Sequence, residues 1–196
     1  MGAAEGLRTT YAEYLELEQA TGVRHEFIDG VAYAMAGGTP AHARLSTSVG
    51  ALFFAMLRPG RGRCRAYSAD GKIHVVAQGN SYYPDLSVVC GRVETAGHDR
   101  NAITNPVLVV EVLSESTELT DRKRKLREYQ QITTLKHYVL VAQDAHQVEH
   151  YKRNDDGTWT YALVRAGGAL QLPDLGGSIA IDELYAAAGH ARGEPC

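Results

Sequence analysis

Cysteine is scarce in this sequence, and the three present, Cys64, Cys90 and Cys196, are odd in number, far apart and never in a C-x-x-C pair. Neither a disulfide framework nor a cysteine zinc site is expected, and a reducing compartment fits this usage best. No apolar run approaches the ~18 residues of a membrane span, and Met1 to Thr10 lacks the basic start and apolar stretch of a secretory leader. The expectation is a soluble, cytoplasmic protein with no membrane partner. An excess of one charge is lacking too: 20 Lys and Arg against 23 Asp and Glu leave a formal net charge of −3. That excludes a generally basic coat protein for nucleic acid and leaves room for a local basic patch. No H-E-x-x-H, G-x-S-x-G, P-loop or dinucleotide fingerprint occurs, so zincin, serine hydrolase, NTPase and Rossmann dehydrogenase readings lose their usual support. Repeats, low-complexity tracts and linkers are absent as well. What remains is 196 residues, 44% hydrophobic, enough for one domain spanning 1–196 with a real core.

The elements read as a mixed sheet domain. Thr10 and Glu13 form a T-x-x-E capping box ahead of a first helix over Tyr11 to Ala20, which Gly22 ends. Asp29-Gly30 between two short apolar runs predicts a hairpin. Thr39-Pro40 reads as N-cap and first residue of a long amphipathic helix carrying Leu45, Val49, Leu52, Phe53 and Met56, broken at Pro59-Gly60. Two strands are expected over 63–77 around Asp70-Gly71, and a single strand from Tyr83 to Cys90. Val107 to Leu113 is apolar on both faces apart from Glu111, the pattern of a strand lying mid-sheet. A charged helix over 121–132, a strand over His137 to Ala142, a hairpin around Asp155-Asp156-Gly157 and a last helix near Asp182 to Ala188 complete an α/β or α+β order, a mixed sheet flanked by helices.

Glu111 is the most informative residue. Alternation puts it on one strand face with Val107, Val109 and Leu113, where an unpaired carboxylate costs on the order of several kcal/mol. It needs a partner. Asp85 stands behind Pro84, at the start of a strand or on an edge, where a missing N–H is tolerated. Two such carboxylates would hold a hydrated Mg²⁺; the plainer reading makes Asp85 a turn cap and pairs Glu111 with an arginine. Asp121, Lys125 and Tyr129 recur at i, i+4 and i+8, near one side of a helix, and would reach a common site or serve as an exposed ion pair. Nine of the 20 basic residues fall in two short segments: Arg58, Arg61, Arg63 and Arg65, then Arg122, Lys123, Arg124, Lys125 and Arg127. If these converge they form a phosphate-binding surface; taken alone, each is a solvated face. Ser114, Ser116 and Thr117 would cap the following helix or meet a phosphate there. His42, near the start of the long helix, is the one histidine singled out.

The ordered set Arg24-His-Glu26-Phe-Ile-Asp-Gly30, Ala34-Met-Ala-Gly-Gly38, Ser68-Ala-Asp70, Tyr83-Pro-Asp85, Val109-Val-Glu111-Val-Leu-Ser114, Ser116-Thr117, Asp121-Arg122, Lys125 and Tyr129 closely resembles the Uma2 family, over about 11–185. That family is similar to the restriction endonuclease-like PD-(D/E)XK superfamily. The resemblance implies a mixed sheet flanked by helices, with a divalent metal, Mg²⁺ or Mn²⁺, between strand carboxylates. It implies Asp85 and Glu111 as metal ligands, Glu26 and Asp70 as further acids of the metal shell, and Lys125 as a base or charge stabiliser. Asp121 and Tyr129 would be auxiliary. Leu113 stands where E-x-K requires lysine, and Lys125 is the migrated substitute; Glu115 replaces a proline common among relatives. The implied function is metal-dependent endonuclease action on DNA, with Arg61, Arg63, Arg122, Lys123 and Arg124 on the nucleic acid. A homodimer would suit cutting both strands. The alternative is a catalytically degenerate nucleic-acid- or partner-binding protein on the same fold.

Overall fold

The computed structural model describes residues 6–35, 37–57, 62–115 and 117–189. The chain opens with β1 (Leu7–Arg8) and α1 (Tyr11–Thr21). The capping box is formed: the Thr10 hydroxyl accepts from the Glu13 amide, and the Glu13 carboxylate accepts from the Thr10 N–H at 2.9 Å. β2 (His25–Ile28) and β3 (Val31–Ala34) meet at Asp29 and Gly30, both left-handed at φ 51° and 76°. Two left-handed residues make the tight turn whose twist matches the strands. α2 (Pro40–Met56) starts at the expected Thr39 cap and buries Leu45, Val49 and Phe53. The expected break at Pro59-Gly60 lies outside the described residues.

β4 (Cys64–Ser68) and β5 (Lys72–Val75) flank the Asp70-Gly71 turn as predicted, but they enter different sheets. The single strand expected over Tyr83 to Cys90 is two elements, β6 (Asn80–Tyr82) and β7 (Leu86–Cys90). The physical reason is Pro84: it offers no N–H to a ladder, and at Tyr83-Pro84-Asp85 the chain leaves one sheet for the other. β8 (Thr95–Ala96) and β9 (Asp99–Ile103) were not expected; β10 (Leu108–Val112) falls where predicted. The charged segment folds as α3 (Glu118–Thr120), a π turn over Asp121–Lys125 and α4 (Leu126–Tyr129). β11 (His137–Val141), β12 (Gln147–Arg153) and β13 (Trp159–Arg165) follow, then the hairpin of β14 (Ala169–Leu172) and β15 (Gly177–Ala180), and α5 (Ile181–Ala187).

Two mixed sheets carry the fold. One runs β1-β3-β2-β6-β5-β9-β8, the other β13-β12-β11-β10-β7-β4. In the second, β10 is parallel to β11 and antiparallel to β7, so it is central, as its double-sided apolar pattern predicts. Parallel neighbours need a crossover, and α3, the π turn and α4 supply it. One face of β10, with Leu108, Val110 and Val112, packs against Leu45, Val49 and Phe53 of α2 and against α5. The other, with Val109 and Leu113, packs with Tyr129, Tyr138 and Leu140 against Ile73, Val75 and Tyr82 of the first sheet. Glu111 lies on this second face, between the sheets. Among the described residues no helix is long and apolar enough to cross a membrane.

The cysteine expectation is corrected. Cys64 and Cys90 are bonded as a disulfide, facing each other in the β4–β7 register with Cα atoms 3.9 Å apart. A separation of 26 residues hid this, because antiparallel pairing of non-consecutive strands makes distant positions neighbours.

Candidate active site

Lys125 is the hub. Its side chain, 5% exposed, is delivered by the crossover to the second face of β10, and its ammonium lies 2.9 Å from Glu26 Oε1, 3.1 Å from Glu111 Oε1 and 3.2 Å from Asp121 Oδ1. Glu26 comes from β2 of one sheet and Glu111 from β10 of the other, so the ammonium ties the sheets together. Tyr129, one turn on, donates its hydroxyl to the same Glu111 oxygen at 3.2 Å. The predicted i, i+4, i+8 convergence therefore holds, but not on a regular helix: the Leu126 amide reaches back five residues to the Asp121 carbonyl, the mark of the π turn.

Electrostatics follow from burial. Taking Glu111 out of water pushes its carboxyl well above the ordinary range; Lys125 pulls the other way, while Asp121, Asp85 and Glu26 reinforce the rise. Burial alone would lower Lys125, but Glu111, Glu26 and Asp121 together outweigh it and hold the ammonium well above its usual value. Lys125 is thus a fixed positive charge. Burial and the charge of Glu111 likewise keep Tyr129 a phenol, a donor only toward that carboxylate.

Asp85 sits beside this cluster. The β7–β10 register pairs Leu86 with Val110, and Asp85 stands one residue before Leu86, close enough for its charge to raise the Glu111 carboxyl. Its Oδ2 accepts the Val112 N–H at 2.7 Å and lies 3.4 Å from His42 Nε2, while Oδ1 accepts from the Ser46 hydroxyl at 3.3 Å. The hydrogen bond to Asp85 raises the His42 imidazole above its usual value against the pull of burial. His42 and Ser46 stand four residues apart on α2, one face of that helix. Ser46 was not anticipated; its spacing from His42 was the available signal. Asp85, Ser46 and neighbouring residues of α2 and β4 line a cleft of about 320 Å³.

Three carboxylates, Glu26, Glu111 and Asp121, thus surround one permanent cation, and the charge of Asp85 is felt at Glu111. Asp121 Oδ1 is buried and, apart from its ion pair with Lys125, has no hydrogen-bond partner. Excess buried negative charge with an orphaned oxygen fits a further cation. Among the described residues no three His, Cys, Asp or Glu side chains converge as a ready chelate. Asp85 and Glu111 are the two carboxylates that could hold a hydrated cation of the Mg²⁺ kind, which takes one or two carboxylates and keeps several waters.

Other expected residues lie elsewhere. Asp70, 84% exposed, pairs with Arg24 at the β4–β5 turn, outside the cluster. Arg61 and Ser116 lie outside the described residues. Arg63 lines a separate cavity of about 410 Å³ with Lys136 and Asp174. Arg122 is tied to Glu118 and Glu149, and Arg124 to Asp29 and Glu128. The exposed Lys123 offers its carbonyl to Arg127. The two basic segments share no described ion-pair partner. Ser114 and Thr117 hydroxyls contact each other at 3.0 Å. His146 and His150 do stand four residues apart, but around strand β12, not on a helix; their rings stack on Tyr185 and His137.

Comparison with known proteins gives the following. The Uma2 family, described as "Putative restriction endonuclease", matches residues 11–182. The uncharacterized protein slr1290 of Synechocystis sp. is 39% identical over 176 residues, covering 88% of this chain and 89% of that relative. The uncharacterized protein sll1609 of the same organism is 31% identical over 150 residues, covering 76% and 84%. A crystal structure described as "a putative nuclease belonging to DUF820", from Anabaena variabilis, superposes with a TM-score of 0.70 at 16% identity, over 86% of this chain and 93% of that one. At that identity the likeness is one of fold.

Proposed function

Because the chain belongs to the Uma2 family, we propose that it is a divalent-metal-dependent nuclease hydrolysing DNA phosphodiester bonds at a site built on Asp85 and Glu111. The observation that carries this reading is the buried surplus of carboxylate over cation around Lys125. Asp85 and Glu111 would hold the metal. Bound there, Mg²⁺ or Mn²⁺ supplies positive charge to the scissile phosphate and makes an attacking water more acidic.

The chain's own residues do the positioning. Val112 N–H and Ser46 fix the Asp85 carboxylate, and Tyr129 and Lys125 fix that of Glu111. Lys125, held protonated by its carboxylates, orients them and offsets their charge and does not serve as a base. Glu26 and Asp121 keep that ammonium in place. Asp70 has no part in this. A homodimer in which each copy carries one such site completes the proposal.

The test is titration calorimetry with Mg²⁺ and Mn²⁺ on wild type, Asp85→Ala and Glu111→Ala, followed by incubation with plasmid and single-stranded DNA. Metal binding and metal-dependent nicking should be lost in both variants; cleavage retained by either overturns the assignment. The second reading, a nucleic-acid- or partner-binding protein without catalysis, draws on the absence of a ready chelate among the described residues. It predicts salt-sensitive DNA binding without metal and no cleavage.

A further inference from the structure

The cleft that begins at Asp85 runs between α2 and β4, an edge strand of its sheet. Among its described lining residues there is no Lys, Arg or His; Asp85 is the single charged group. A phosphate would be repelled there. Phe54 stands at the wall as an aromatic ring with 67% of its surface exposed. Ser46 donates its hydroxyl proton to Asp85 and Thr47 donates its own to the Ala43 carbonyl, so both retain lone pairs as acceptors.

Gly50 is the second, independent observation. It lies in the interior of α2, where glycine weakens a helix. No backbone requirement explains it, since Gly50 is not among the positive-φ glycines, and no packing requirement does, since a Cβ there would meet no atom within 4 Å. What its missing side chain does is leave the floor of the cleft open.

We propose that this cleft receives a single unpaired nucleobase, stacked on Phe54 over Gly50, of a strand whose phosphate lies at Asp85 and Glu111. It rests on the nuclease reading of that site and deepens it. An uncharged, aromatic-edged slot with acceptor hydroxyls suits a flat ring bearing amino groups, and aromatic stacking is how proteins hold unpaired bases. A base within a duplex is already stacked on its neighbours and cannot enter without being extruded. The substrate class is therefore single-stranded DNA, or duplex with unpaired or extruded nucleotides next to the cut.

The experiment uses the full chain with a fluorescent 12-mer, single-stranded and duplex, and the same strand carrying 2-aminopurine, with Ca²⁺ in place of Mg²⁺ as the cation at the carboxylates and binding read before any cutting. Wild type, Gly50→Leu and Phe54→Ala are compared. Wild type should bind single strand at least ten-fold more tightly than duplex and quench 2-aminopurine. Gly50→Leu, whose side chain enters open space in a better helix former, should keep the fold by circular dichroism, bind single strand at least ten-fold more weakly and lose the quench; Phe54→Ala should weaken both. A Gly50→Leu variant that binds and quenches as wild type does, or that weakens single strand and duplex alike, overturns the base slot while leaving the Asp85–Glu111 reading standing. Quenching through the slot with no cleavage when Mg²⁺ or Mn²⁺ is supplied keeps the slot and overturns the nuclease reading. Absence of any oligonucleotide binding overturns both. A Phe54→Ala change that only dissociates a dimer assigns the cleft to a second copy of the chain and overturns the proposal.

Discussion

At the residue scale, Glu111 is held in a state that opposes folding. Burial and three nearby acids put its carboxyl well above the ordinary range despite Lys125. A folded value above the unfolded one favours the fold only while the group is protonated, so this contribution is intact below about pH 4 and is lost as pH rises through the folded value. Glu111→Gln keeps the shape and removes the charge. The variant should match wild type near pH 4 and become more stable than wild type toward neutral pH. Thermal unfolding from pH 4 to 8 checks this, and a wild type at least as stable throughout would contradict it. Mg²⁺ should then narrow the difference by stabilising wild type alone, because a ligand of the folded state adds stability only where its site is present. Lys125→Met acts in the opposite sense: it leaves Glu26, Glu111 and Asp121 without their shared cation. A loss of about 3–5 kcal/mol in urea unfolding is expected, as for other buried pairs deprived of one partner.

At the scale of the element, the π turn sets where Lys125 points. Its Leu126-to-Asp121 hydrogen bond accommodates one residue more per turn than an α-helix holds. Deleting Lys123, an exposed residue of that turn, should let the segment close as regular α-helix and rotate the lysine away from Glu111. The expected outcome is an unchanged circular dichroism spectrum, with metal binding and any cleavage abolished; a variant that still binds metal as wild type does would separate the turn from the site. This device was not legible in the sequence, because Asp-Arg-Lys-Arg-Lys carries no local signal against an ordinary helix. The α2 cap at Thr39, the Asp29-Gly30 turn and the central place of β10 were legible, since each rests on local chemistry or a run of apolar residues. The convergence of Asp121, Lys125 and Tyr129 on Glu111 was readable from spacing. That Glu26 joins them and Asp70 does not was hidden: the choice depends on how the first sheet lies over the second, and no spacing along the chain encodes it. β8, β14 and β15 escaped because strands this short show too few alternations to register a period.

At the scale of the whole molecule, the two sheets meet at the Lys125 cluster on one side, while β4 holds the outer edge of the second sheet and one wall of the cleft at Asp85. An edge strand has a ladder on one side only, and β4 is joined to β7 by five register pairs and by the Cys64–Cys90 bond at its start. Closing a loop of 26 residues' separation restricts the unfolded chain, a contribution of about 3 kcal/mol in the chain-entropy view. Reduction should therefore lower the unfolding free energy by about 3 kcal/mol and move the urea midpoint down without changing the fold, and Cys90→Ser should unfold at the same lower midpoint with or without reductant. Because Ser68 and Leu86 pair at the other end of the same ladder, beside Asp85, reduction should also raise hydrogen exchange along β4 while leaving β10 and β11 protected. Thiol titration in denaturant gives the decisive count: two more thiols per chain after reduction than before, from Cys64 and Cys90. Three thiols at the outset, or a midpoint indifferent to reductant, would mean that β4 keeps its place by its hydrogen bonds alone.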